Sequence, residues 1–166
     1  MKKSILLTTI LLIFSMSEIY ACTCYKKSVA ENFKNSDLVF TGKVVDIIEH
    51  KMIDSIPNDN KLKPFKIRKY NRIEFKFQIL KLYKGETDSE FISIYTTGGI
   101  TDCGNYFRLN SKQLVYSYIT NIRLYDYTTE RKVEPYLSTS TCSQTKELKS
   151  VKRRERKEIE KLSRIK

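Results

Sequence analysis

Four cysteines, Cys22, Cys24, Cys103 and Cys142, constrain this 166-residue chain more than any other feature. Cys22 and Cys24 are too close to pair comfortably with each other, which favours each one reaching a distant partner, Cys103 or Cys142. Bridges of that reach close loops of roughly 80 to 120 residues. Each is worth about 4 to 5 kcal/mol in the chain-entropy model, an upper value because native strain and residual structure in the unfolded chain reduce it. An even number of cysteines in a small exported domain points to two disulfides rather than catalytic thiols. The start of the mature chain is then pinned to its body.

Export is itself an expectation from the first 21 residues. Lys2 and Lys3 form a basic start, Ile5 to Phe14 an almost unbroken apolar run, and Ala21 a small residue at the cleavage position, the pattern of a secretory signal. A run of ten residues is too short to span a bilayer. Cleavage after Ala21 removes Lys2, Lys3 and Glu18, takes the net charge from +12 to +11, and makes Cys22 the new amino terminus. The expected location is secreted or periplasmic. A rival reading makes Cys22 a lipid-modified cysteine, but Tyr20 fits that signal poorly.

The mature body reads as mainly β. Lys26 to Asn35 has a helical tendency, and Leu38 to Ile48 is a strand-like run in which Gly42 suggests a bulge or sharp coil. His50 to Tyr70 holds Pro57, Pro64, Asn58 and Asn60 without an apolar period, and reads as an exposed hairpin connection between two strands. From Arg72 the alternation is clean: Ile73, Phe75, Phe77 and Ile79 share one face, Glu74, Lys76 and Gln78 the other. Lys84 and Gly85 turn the chain into a strand at Phe91 to Thr96, followed by a loop from Thr97 to Tyr106. Gln113 to Ile119 and Tyr136 to Thr141 supply two more strands, with a charged loop around Asp126 to Glu134 between them. Five strands in this span suggest a small closed or nearly closed antiparallel barrel with flanking helices.

Lys146 to Lys166 reads as a helix with ten basic and four acidic residues, so much of the excess charge sits at one end of the chain. Leu148, Val151, Ile159, Leu162 and Ile165 are spaced for one narrow apolar face. No His-Glu-x-x-His, Gly-x-Ser-x-Gly or phosphate-cradling glycine loop is present, which argues against an enzyme. His50, alone in a charged stretch, is no metal or acid-base candidate.

Several separate landmarks, in order, carry a resemblance to a known family. Cys22-Thr23-Cys24, Asn35-Ser36-Asp37-Leu38-Val39, the strand ending Leu82-Tyr83-Lys84-Gly85, Asp102-Cys103-Gly104-Asn105-Tyr106-Phe107 and Thr141-Cys142 together resemble the amino-terminal, netrin-like domain of the tissue inhibitors of metalloproteinases. The resemblance implies a five-stranded OB-fold barrel over residues 22–148, after a signal peptide at 1–21 and before a basic carboxy-terminal helix at 149–166. It implies disulfides Cys22 to Cys103 and Cys24 to Cys142. It also implies a secreted, monomeric inhibitor of zinc metalloendopeptidases, with no cofactor of its own, whose Cys22 amino group and carbonyl oxygen chelate the target's zinc. By the same carry-over Thr23 enters the primary specificity pocket, Cys24 and Tyr25 lie along the primed side, and Thr101, Asp102 and Cys103 form a second strip of the contact ridge.

The sequence departs from the family in three places. A further cysteine expected just before Asn35-Ser36-Asp37 is replaced by the stretch with Phe33 and Lys34, and its partner is missing as well. The cysteine-rich second domain is absent, with the charged helix in its place. Lys26 and Lys27 follow Tyr25 where prolines are common in the animal proteins, and the leader looks more bacterial than animal, which suggests a single-domain bacterial relative. The alternative from another class is an exported basic module that binds a polyanionic glycan, a membrane surface or a protein partner; the expected polyanion contact is the carboxy-terminal helix through Lys152, Arg153, Arg154, Arg156 and Lys157, with nucleic acid not expected because the chain is exported.

Overall fold

A computed structural model describes residues 24–57, 65–97, 103–124 and 130–165. Helix α1 (Val29–Asn35) leads into β1 (Leu38–Pro57), β2 (Phe65–Lys84), β3 (Phe91–Thr97), β4 (Lys112–Leu124) and β5 (Glu130–Ser138). A 3-10 turn (Thr141–Ser143), the short β6 (Lys146–Glu147), a second 3-10 turn (Leu148–Ser150) and helix α2 (Arg153–Leu162) complete the described chain. The first five strands pair in the order β1-β2-β3-β5-β4, and β4 returns to β1, so they form a ring. All its seams are antiparallel except β3 with β5, which is parallel.

Two runs with apolar residues on both faces explain the layering. In β1, Leu38 and Phe40 enter a core with Val44, Phe75, Phe77, Ile94, Phe107 and Val115, while Val39 between them faces the other way. In β4, Val115 points inward and Leu114 and Tyr116 point outward, joining Val39, Phe33, Val151 and Ile159 in a second core beneath the helices. A strand covered on both sides needs no polar alternation. Inside the ring, Phe107 meets Phe75 and Phe77 edge-on at 4.8 and 5.4 Å between centroids, an arrangement favoured by the ring quadrupoles.

α1 is fixed at both ends. Ser28 Oγ accepts from the backbone N–H of Glu31, and at the other end the Lys84 ammonium donates to the carbonyls of Phe33 (3.0 Å), Lys34 (2.8 Å) and Ser36. A cation there satisfies carbonyls that the helix itself leaves unpaired and complements its dipole. Gly42 does sit at a register break between β1 and β2, as the sequence suggests.

Three expectations need correction. The span 50–70 is not an open connection: His50 to Pro57 pairs with Phe65 to Arg72, extending the hairpin as a two-stranded ribbon. Its periodicity is hidden because the ribbon runs past the barrel, leaving Lys51, Ile53, Ile67 and Lys69 exposed. Residues 58–64, between the two strands in sequence, lie outside the described residues. The charged stretch at 130–134 belongs to β5, while Thr139 and Ser140 have left the strand. Finally, the carboxy-terminal helix begins at Arg153 rather than Lys146, because Lys146 and Glu147 pair with Leu114 and Gln113 along β4. Val151 and Ile159 are buried, whereas Ile165 is 71% exposed.

The parallel seam is the slightest, with one ladder pair, Tyr95 with Ser138, and a hydrogen bond from Thr139 N to Tyr95 O of 3.1 Å. Arg72 reinforces it by stacking over both Tyr95 (4.6 Å) and Tyr136 (5.1 Å). Beside Arg72, the Glu74 carboxylate accepts from Ser93 Oγ (2.6 Å) and His50 Nε2 (2.8 Å). Burial pushes the Glu74 pKa up, but hydrogen bonds from Ser93, His50 and Tyr95 outweigh it and hold the carboxyl below its ordinary value.

Two stability predictions follow from these environments. A carboxyl with a depressed folded-state pKa contributes stability that is present above the unfolded value of about 4.3 and lost as pH falls through the folded one. Glu74→Gln should therefore show its largest deficit near neutral pH, narrowing below about pH 4 in denaturant titrations across pH. Tyr116 is buried, its hydroxyl has no hydrogen-bond partner among the described residues, and burial beside Glu155 and Glu158 raises its pKa. An unpaired buried hydroxyl costs about 1 to 3 kcal/mol, so Tyr116→Phe should raise the unfolding free energy by about 1 kcal/mol.

Candidate functional site

The residues preceding α1 lie along the turn that follows β5. Cys24 is bonded to Cys142 across 118 positions of sequence, with their Cα atoms 5.1 Å apart. Cys142 belongs to the Thr141–Ser143 turn, and Gln144 just beyond it adopts a left-handed conformation with φ of 59°. From there the Gln144 Nε2 donates to the Lys27 carbonyl at 2.6 Å. The Asn32 side chain, buried on α1, donates to the Ser143 carbonyl. Three ties thus fix the stretch from Cys24 to Asn32 on one turn, and Tyr25 projects from it 78% exposed.

A second strip meets the same turn. The Cys103 carbonyl accepts from the backbone N–H of Thr141 at 2.9 Å and from its hydroxyl at 3.2 Å. Asn105 Nδ2 donates to the Ser140 carbonyl at 2.7 Å, and its backbone N–H to Thr96 Oγ1 at 2.8 Å. Between them Gly104 passes so close to β3 that a Cβ would lie 2.2 Å from the Thr97 carbonyl oxygen, so no other residue fits without moving the backbone. Cys103 takes a positive φ of 55° and is disulfide-bonded. Its expected partner, Cys22, lies outside the described residues, as do Thr23, Thr101 and Asp102.

The turn is held to the barrel by hydroxyls. Thr139 Oγ1 donates to the Tyr116 carbonyl at 2.9 Å and lies 2.6 Å from Ser143 Oγ. Thr145 Oγ1 accepts from the Tyr116 N–H at 2.9 Å. Buried polar groups that are all paired rigidify the element they belong to. Sequence reasoning named Cys24, Tyr25 and Cys103 as ridge residues, and the structure brings all three to this turn. It assigned nothing to Asn32, Thr139, Ser143 and Gln144, which do the fastening. Nothing in their local sequence signals it, because their partners lie across the fold. Asn105 and Gly104 stood in a quoted motif, but their roles depend on how closely β3 approaches.

Among the described residues no cluster of three or more His, Cys, Asp or Glu side chains could hold a metal ion. No helix among them is long and apolar enough to cross a membrane. The disulfide and hydrogen bonds around Thr141–Ser143 make this a braced edge, with Tyr25 exposed on it. Residues 20–161 match a family model described as tissue inhibitor of metalloproteinase. No curated protein sequence matches the chain.

Replacing both Cys24 and Cys142 by Ser should reduce stability by up to about 4 to 5 kcal/mol, the loop-closure value for this separation, seen as a lower denaturant midpoint. Gly104→Ala tests the second strip separately. The clash with the Thr97 carbonyl should cost more than about 2 kcal/mol and broaden the amide signals of Cys103 to Asn105 in solution spectra.

Proposed function

The chain belongs to the tissue inhibitor of metalloproteinase family, and from that premise we propose that it blocks a zinc endopeptidase with the free amino group and carbonyl oxygen of Cys22. Members of this family are protease inhibitors and not enzymes, and their partners are metalloproteinases. A catalytic zinc keeps one position open for the water that attacks the peptide bond. A neutral amine and the adjacent carbonyl oxygen can take that position as a five-membered chelate. The reference pKa of an α-amino group is about 7.7 to 8.0, so giving up its proton to zinc costs little near neutral pH.

In this reading the leader is removed after Ala21 during export, which creates the amine. Thr23 fills the primary specificity pocket, Cys24 and Tyr25 follow the primed side, and Thr101, Asp102 and Cys103 form the neighbouring strip, joined to Cys22 by a disulfide. The ring order 1-2-3-5-4-1 supports an OB barrel as the scaffold. The observation that carries the reading is the common anchorage: Cys24 is bonded to Cys142 while Thr141 holds the Cys103 carbonyl. Two strips fixed to one turn lose little conformational freedom on docking, which is what tight, non-turnover inhibition needs. Phe33, near the position of the missing family cysteine, packs in the second core and lies under the Lys84 ammonium, so packing can do there what a further disulfide would.

Exported protein should have the intact mass of residues 22–166 with two disulfides and a free amine. Placing one Ala before Cys22 should reduce inhibition of a susceptible zinc endopeptidase by at least about 100-fold, with an unchanged denaturation midpoint. Below the amine's pKa, potency should weaken by up to about tenfold per pH unit, because zinc then competes with a proton. Retained potency in the extended variant would exclude chelation.

A further inference from the structure

Two of the three acids of α2 face the barrel. Glu155 is largely buried and paired with Lys146 at 3.1 Å, and Glu158 is half-buried, whereas Glu160, its side chain 39% exposed, borders the basic face and is paired with Lys81 at 3.3 Å. The apolar side chains Val151, Ile159 and Leu162 sit in the second core. On the opposite side Arg153, Lys157, Lys161 and Arg164 are all exposed, and none forms an ion pair among the described residues. Spaced at i, i+4, i+8 and i+11, with Arg164 in the turn that continues the helix, they form one outward stripe about 16 Å long. The helix also begins badly for its own stability. Lys152, Arg153, Arg154 and Arg156 crowd its first turn, where the dipole is positive and Glu155 is the sole acidic residue. An anion lying along this face would neutralise the stripe and relieve that repulsion together.

We propose that the outer face of α2 docks a linear anionic polysaccharide, one bearing sulfate or uronate groups. The stripe offers about one cation per helical turn, a spacing of about 5.4 Å that suits a chain carrying charges at regular intervals. An anionic membrane is the poorer fit. A surface-seeking helix needs a free apolar face to enter the headgroup region, and here that face is consumed by the protein core. The proposal is independent of protease inhibition and extends the chain's role to retention on a polysaccharide matrix.

Binding of the mature protein to a heparin oligosaccharide, measured by calorimetry at several salt concentrations, tests it. A variant carrying Arg153→Gln, Lys157→Gln, Lys161→Gln and Arg164→Gln is compared with a control that removes equal charge elsewhere, Lys51→Gln, Lys69→Gln, Lys112→Gln and Lys132→Gln. By the value known for nucleic acid polyanions, each ionic contact adds about 0.7 to 0.9 to the slope of log affinity against log salt. The helix variant should flatten that slope by about 3 and lose at least tenfold in affinity at physiological salt, with the control changed far less. Independently of any ligand, Arg153→Gln alone should raise the denaturation midpoint, since it removes a cation from the helix's positive end. Equal losses in the two variants would mean diffuse attraction to net charge and would overturn the proposal. So would absence of binding, or tighter binding to phosphatidylserine vesicles than to the oligosaccharide.

Discussion

The antiparallel ladder between the start of β1 and β4 is the interaction on which the rest of the molecule depends. Leu38 to Lys43 pair with Ser117 to Lys112, closing the ring. The same residues divide the apolar side chains between two cores, since consecutive positions on a strand point to opposite faces. Leu38, Phe40 and Val115 build the barrel interior; Val39, Leu114 and Tyr116 build the floor on which both helices rest. A one-residue slip would exchange these sets and expose the helices' docking surface, so register here is fixed by burial on both sides at once.

From that floor the braced edge at Thr141–Ser143 is assembled. Tyr116 offers its backbone carbonyl and N–H to Thr139 and Thr145, and those hydroxyls fix the turn that carries Cys142. The turn in turn receives Cys24 through a disulfide and Cys103 through hydrogen bonds from Thr141. The route from core to edge is thus a few bonds long and runs through paired polar groups. Such bracing limits the conformational freedom of the edge, in keeping with a family whose members are protease inhibitors.

Charge follows a different logic. Of the acidic side chains of α2, Glu155 pairs with Lys146 and Glu160 with Lys81, and the basic ones are left outside. Exposed ion pairs add little to stability, but this arrangement leaves Arg153, Lys157, Lys161 and Arg164 together on one accessible face. The braced edge and the basic face differ in their physics. The edge is held by a disulfide and short-range hydrogen bonds, whereas the field of the exposed cations is long-range and weakened by salt.

Much of this was legible in the residues themselves. The alternation from Ile73 to Ile79 placed Phe75 and Phe77 in the core, Gly42 marked the register break, and the cysteine spacing required the amino-terminal arm to reach a distant part of the chain. These follow from local periodicity and chain geometry, which a sequence carries explicitly. The ribbon at 50–57 and 65–70 was not legible, because a strand pair outside the core needs no apolar face. The late start of α2 was not either, because Lys146 and Glu147 are helix formers that only an available edge of β4 draws into a strand. Nor could the sequence show that Asn32, Thr139, Ser143 and Gln144 fasten the edge, since hydrogen bonds between residues far apart in the chain come into being only when the ring closes.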